Sequence, residues 1–194
     1  MLSVPIAIRF AETHAGNDST REGLRPVRVE PKRVWATDGH RAILLDVEAT
    51  PDQVGDYVDG QKIQTIPGPP IDQVIPKADP PIAVQLGKKT IADLQALAWM
   101  LNQWTIAYVS FPSKGAASIN FSRSNDERAE RVTVLLEEGP ISRVKKGTRL
   151  NVEYLLEAIE AVHAGDEVTL YQASDMDPIL IKGSRGKVIV MPCR

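Results

Sequence analysis

The sequence predicts an α+β fold assembled from repeated β-α-β-β-β units, one half domain followed by one full domain. Three observations predict it. From Ile82 onward, an order of strand, helix and three strands occurs about twice, an internal repeat of structure rather than of letters. Before that, Asp38-Gly39 splits a run rich in Val, Ile and Leu into strand, turn and strand. Between the two regions, residues 49–81 carry Pro51, Gly55, Gly60, Pro67, Gly68, Pro69, Pro70, Pro76, Pro80 and Pro81, the marks of a boundary. The expected division is residues 1–66 as a partial domain, 67–81 as linker and 82–194 as a full domain.

The elements follow in order. Residues 3–14 read as a short helix with Pro5 in its first turn. Gly16-Asn17-Asp18-Ser19 is a turn cluster. Val27 and Val29 alternate with Arg28 and Glu30 as a strand, interrupted by Pro31-Lys32, and Arg33 to Val47 forms the hairpin around Asp38-Gly39. One short strand is expected near Lys62 to Ile66 and another at Ile82 to Leu86.

Thr90 is the expected cap of a helix from Ile91 to about Gln103, with Asp93 in its first turn. Its apolar positions Ile91, Leu94, Leu97, Ala98 and Leu101 recur at helical spacing. Trp99 and Trp104 flank its end and read as core or interface. Strand patterns cover Thr105 to Phe111, Ala117 to Ser122 and Arg131 to Glu137. Asn151 caps a second helix with Tyr154, Leu155, Ala158, Ile159 and Val162 as its stripe, ended by Ala164-Gly165-Asp166. Glu167 to Gln172, Pro178 to Lys182 and Lys187 to Met191 close the chain as strands.

Composition narrows the function classes. A net charge of -2 with 25% charged residues argues against a generally basic nucleic-acid binder. It leaves room for a basic inner face opposite an acidic outer one, because the local field matters more than the sum. The single cysteine, Cys193, fits a reducing compartment, and a cytoplasmic location is expected. MLSVPIAIRF places its charge after its apolar run, so it is a poor signal peptide, and no run is long enough to span a bilayer. Asn17-Asp18-Ser19 and Asn120-Phe121-Ser122 are therefore expected to be chance matches to the glycosylation pattern.

Catalytic patterns are missing. The three histidines, His14, His40 and His163, belong to no metal or nucleophile motif, and no HExxH, CxxC or GxSxG occurs. Gly87-Lys88-Lys89-Thr90 echoes the end of a phosphate loop, but the earlier glycine is missing and Lys89 displaces the hydroxyl. It reads as a strand-to-helix turn. Asp38 and His40 have no nucleophile nearby, and a tight turn is the ordinary use of Asp-Gly. No catalytic residue, metal or cofactor is expected.

Four segments, in order, carry a resemblance. Ala36-Thr37-Asp38-Gly39-His40-Arg41, within VWATDGHRAILLDV, is one; Pro69 to Lys77, PPIDQVIPK, is the next. Asn151 to Ala158, NVEYLLEA, and the ending Val188 to Arg194, VIVMPCR, complete the set. Together they resemble the bacterial sliding-clamp family, the beta subunit of DNA polymerase III, over most of residues 19–194. They correspond to the middle domain's strand-turn-strand, the linker to the last domain, that domain's second helix and the final strand. The family has three domains of two halves each. Here the counterpart of the first domain is absent, and so is the second half of the middle one. The family's terminal leucine does not follow Arg194, and Glu22 and Gly23 stand where aromatics often occur.

The resemblance implies a DNA-clamp fold and a non-enzymatic DNA-replication processivity factor. It would tether DNA polymerase and other partners to duplex DNA through a hydrophobic peptide-binding cleft. From the first unit the cleft would use Leu24, Thr37, Gly39, His40, Arg41 and Ala42. From the linker it would use Pro69, Gln73 and Val74. From the last unit it would use Pro178, Ile179, Val190, Met191, Pro192, Cys193 and Arg194. Leu24, Val74, Val190 and Met191 would form the apolar slot, while Thr37, His40 and Arg41 would hold the peptide backbone. By strand pattern alone, Val190 and Met191 read as core.

DNA phosphates would face Lys88, Lys89, Lys145, Lys146 and Arg149, with Arg9 and Arg21 added, although Glu153, Glu157 and Glu160 make the second helix acidic. A ring of six domains would need four chains of three halves each, a homo-tetramer. The alternative is a clamp homologue outside a ring, which sequesters clamp-binding peptides or associates with a full-length clamp.

Overall fold

The computed structural model describes residues 1–18, 20–76, 82–101, 106–110, 118–122, 131–135, 148–174 and 177–193. Helix α1 spans Val4–Glu12, with Pro5 in its first turn and Val4, Ala7, Ile8 and Ala11 on its buried face. After a 3-10 turn at Glu22–Leu24, strands β1 (Val27–Glu30), β2 (Arg33–Thr37) and β3 (Arg41–Asp46) form an antiparallel meander. Arg28 lies opposite Trp35, and Trp35 opposite Leu44.

The alternation of Val27 and Val29 with Arg28 suggests one wet face, but both faces of the meander are covered. Val27, Val29, Val34, Ala36, Ile43 and Leu45 join the main core with α1. On the other face, Trp35, Ala42 and Leu44 pack with Ile71, and Ile75 adds to the cluster. Arg28, only 8% exposed, stacks over the Trp35 ring at 4.8 Å. Its guanidinium donates to the carbonyls of Gly23 and Ile66 at 3.0 and 2.9 Å, and Asp56 lies within ion-pair range.

The proline- and glycine-rich stretch 49–81 holds two strands where one was expected. Strands β4 (Gly55–Val58) and β5 (Gln61–Ile63) form a hairpin, and β4 pairs with β1. The expected strand at Lys62 to Ile66 is thus shorter and shifted, and its partner was not anticipated. Asp59-Gly60, with φ of 51° and 70°, is a two-residue turn suited to this hairpin, a signal hidden among the surrounding prolines and glycines. From Ile66 to Ile75 the chain forms a strap over the outer face of the meander, with a 3-10 turn at Ile71–Gln73. Arg33 fastens it: Nη1 and Nη2 reach the two oxygens of Asp72 at 2.6 and 3.1 Å, while Nε holds Glu30 at 2.7 Å.

The remaining elements are β6 (Ile82–Leu86), α2 (Lys88–Leu101), β7 (Ile106–Ser110), β8 (Ser118–Ser122) and β9 (Arg131–Leu135). They are followed by β10 (Thr148–Asn151), α3 (Val152–Val162), β11 (Val168–Gln172), β12 (Ile179–Gly183) and β13 (Gly186–Val190). Two details differ from expectation. Helix α2 starts before Thr90, because the Ile91 amide already donates to the Gly87 carbonyl at 3.0 Å; Thr90 is buried inside the first turn. Strand β10 was not anticipated: only Thr148 and Leu150 bury their side chains, with Arg149 exposed between them. Asn151 caps α3 as expected, its side-chain oxygen accepting from the Glu153 amide at 2.8 Å.

Two sheets result, ordered β5-β4-β1-β2-β3-β13-β12-β11-β6 and β10-β7-β8-β9. With β10, the C-terminal unit contains two β-α-β-β-β halves that exchange their first strands: β6 pairs with β11, and β10 with β7. In the N-terminal part, β4 stands beside β1 as β6 stands beside β11, both antiparallel. The two parts join through β3 and β13, with Ile43 opposite Val188 and Arg41 opposite Val190. This seam brings the first hairpin, the strap and the chain's end together.

Candidate peptide-binding cleft

The cleft starts from the β2–β3 hairpin. Its two-residue turn is Gly39-His40, with Gly39 at φ 90°, rather than Asp38-Gly39. Asp38 precedes the turn and braces it, its Oδ1 accepting from the amides of His40 and Arg41 at 2.8 and 2.9 Å. Thr37 Oγ1 donates to the Arg41 carbonyl at 2.6 Å and accepts from the Gly39 amide at 3.1 Å. The His40 carbonyl accepts from the Met191 amide at 2.9 Å, tying the tip to the residue after β13.

Against this tip lies an apolar cleft of about 190 Å³. Leu24, Thr37, Gly39, His40, Arg41 and Ala42 form one wall. Pro69, Pro70, Ile71, Gln73 and Val74 of the strap form a second, and Ile189 and Met191 a third. Val74 is 56% and Met191 45% exposed, so apolar surface remains uncovered at the mouth.

Strand geometry corrects the expected list. Val190 is fully buried in the main core, because consecutive strand residues point to opposite faces; Ile189 and Met191 take the cleft side. Ile179, opposite Val190 in β12, is likewise core, and Pro178 does not line the cleft. Pro192 and Cys193 line an adjoining groove with Gly39, His40, Asn151, Tyr154 and Met191. Partial desolvation pushes the pKa of the Cys193 thiol up. Arg194 lies outside the described residues. Pro70, Ile71 and Ile189 were missed; the period of two in β13 would have found Ile189.

Arg41 is not free to hold a peptide. Its side chain, 8% exposed, is bound to Asp38, Glu157 and the Thr13 carbonyl, and its guanidinium lies over the Tyr154 ring at 4.0 Å. Thr37 is equally committed. Both shape the cleft rather than offering polar groups to it. Buried beside this network is His14, whose pKa is lowered from 6.5 to about 4, mainly by burial and then by Arg41. His14 Nδ1 lies 3.2 Å from the Phe10 carbonyl, and Nε2 has no hydrogen-bond partner among the described residues.

The residues expected to face DNA are scattered. Arg9 is exposed on α1, Lys88 and Lys89 at the start of α2, and Arg149 on β10; Lys89 pairs with Asp93 at 2.8 Å. Arg21 lies beside the hairpin tip: a Cβ on Gly39 would lie 3.6 Å from its Nη1. Lys145 and Lys146 lie outside the described residues. Between α1 and α2, helix α3 presents Glu153, Glu157 and Glu160 along the grooves on its two sides.

No protein-family model matches the chain, and no curated protein matches it. Among solved structures, the Caulobacter crescentus beta sliding clamp matches with a TM-score of 0.73 and 16% identity, over 98% of this chain and 63% of that one. The chain has the fold of the bacterial beta sliding clamps. A Helicobacter pylori beta clamp bound to a DNA ligase peptide matches with a TM-score of 0.67 and 16% identity, over 98% of this chain and 63% of that one. The Bacillus subtilis DNA polymerase sliding clamp gives 0.65 and 17%, over 98% and 62%. This clamp-like chain therefore spans less than two thirds of the length of the clamps it matches.

Proposed function

We propose that this clamp-like chain is a non-enzymatic scaffold that captures short apolar peptide segments of partner proteins, such as DNA polymerases, in the cleft at the β3–β13 seam. The observation that carries this reading is the convergence of Leu24, Val74, Ile189 and Met191, from distant stretches of chain, on one uncovered apolar cavity. Such slots accept aliphatic or aromatic anchors, and a methionine at the mouth adapts to varied partners. The Helicobacter pylori clamp with its DNA ligase peptide gives the reading a precedent within this fold. In this reading residues 1–66 and 82–194 are two units, and 67–81 is a linker whose first part forms a cleft wall.

The test is fluorescence anisotropy with a labelled peptide carrying leucine and phenylalanine anchors. Saturable binding that Met191→Ala weakens supports the reading; absence of binding at high protein concentration overturns it.

A second reading, a homo-oligomeric ring that tethers partners to duplex DNA, is favoured by the fold. The carboxylates of Glu153 and Glu160 on α3 weigh against a phosphate-facing helix layer and favour the alternative outside a ring. Solution mass by light scattering, followed by retention on closed circular but not linear DNA, separates the two.

A further inference from the structure

We infer that the groove between α2 and α3 is a second interaction surface, suited to dock a cationic amphipathic helix of a partner protein. It shares no lining residue with the cleft at the β3–β13 seam, so the two readings stand independently. The groove encloses about 310 Å³. Buried Leu94 and Ile159 line it together with half-buried Ala98 and Leu156, so both helices supply apolar surface. Glu153, Leu156, Glu157 and Glu160 recur at helical spacing, which sets carboxylates and an apolar side chain along one face of α3.

The charge on this face is not answered within the fold. Glu157 is engaged by Arg41. Glu153 and Glu160 are exposed and form no ion pair among the described residues, and no described Lys or Arg lines the groove. Helix α2 contributes only Gln95 as a polar group. Glu160 is not explained by helix stability either: it stands in the last turn of α3, where no basic residue accompanies it and the negative end of the helix dipole disfavours a carboxylate. Glu153 and Glu160 are two turns apart, about 10 Å along the helix. That spacing matches two Lys or Arg side chains two turns apart on a partner helix, with aliphatic residues between them meeting Ala98 and Leu156. Duplex DNA has the wrong sign for this face. A second copy offers no counterpart among the described helices, since α1, α2 and α3 carry no two cations at that spacing. Because the pairs form at an exposed rim, they set preference and salt dependence, while the apolar lining supplies contact area.

The experiment titrates the full chain with a labelled helical peptide that carries two lysines two turns apart and leucines between them, and with a control in which glutamines replace the lysines. The groove variants are the double substitution Glu153→Gln with Glu160→Gln, and Gln95→Lys on the facing helix; all three positions are exposed, and circular dichroism checks that both variants fold. The expected result is that the full chain prefers the lysine peptide by about fivefold, that salt erodes the preference, and that each groove variant abolishes it. Equal binding of the two peptides, or no binding of either, overturns the inference and leaves the cleft reading untouched. So does a preference that Met191→Ala removes and both groove variants keep, which places the peptide in the other cleft. Labelled duplex DNA that the full chain binds and Gln95→Glu does not, or a dimer mass that Gln95→Lys reduces to a monomer, assigns the groove to another occupant and equally overturns it.

Discussion

Met191 donates its backbone amide to the carbonyl of His40 at 2.9 Å, and two residues later the Cys193 amide donates to the Arg149 carbonyl at 2.8 Å. The end of the chain is thereby stitched to the first hairpin on one side and to β10 on the other. It runs as a ridge between the apolar cleft and the adjoining groove, since both are lined by His40 and Met191.

Neighbouring residues on this ridge should respond in opposite ways. Met191→Ala removes exposed cleft surface, so peptide affinity is expected to fall about tenfold with little change in stability. Val190→Ala removes two buried methyl groups and is expected to cost about 2 kcal/mol of stability. Urea melts and anisotropy titrations on both variants check the pair; equal behaviour would contradict the facing assigned to them.

Arg41 is expected to be structural. Arg41→Ala leaves Asp38 and Glu157 without their shared cation at a site where the guanidinium was 8% exposed, and should destabilise by about 3 kcal/mol in urea. Arg41→Lys should recover only part, because a lysine ammonium reproduces neither the fork of donors nor the stacking on Tyr154.

His14 predicts an acid-side loss of stability. Its folded pKa of about 4 lies below the ordinary 6.5, so the unfolded chain binds the proton first as pH falls. Its contribution is constant above about pH 6.5 and declines between there and about pH 4, to a total loss of about 3 kcal/mol from this group. Urea midpoints at pH 7.5 and 4.5 should differ less in His14→Phe than in the parent.

Gly186 should be intolerant of any side chain. It has φ 147°, and a Cβ there would lie 2.2 Å from the Leu44 carbonyl oxygen across the β3–β13 seam. Gly186→Ala is expected to cost about 3 kcal/mol and to raise hydrogen exchange in both strands. Exchange confined to β13 would show that the seam does not unzip as a unit.

The sequence by itself determined the local elements. Helical spacing marked α2 and α3, Asn151 announced the cap of α3, and the hairpin around Gly39 was visible, because these features are set by residues a few positions apart. Ten of the residues that the resemblance singled out, from Leu24 to Met191, line the apolar cavity. Tertiary structure decided what depends on distant partners. The β4–β5 hairpin is held by β1 and lay hidden in a stretch of proline and glycine. Strand β10 earns its identity from β7. The commitment of Arg41 to Glu157 and the choice of Ile189 over Val190 both follow from which surfaces meet at the β3–β13 seam. Pairing register and side-chain facing are properties of two segments at once, and a single stretch of letters carries only one of them.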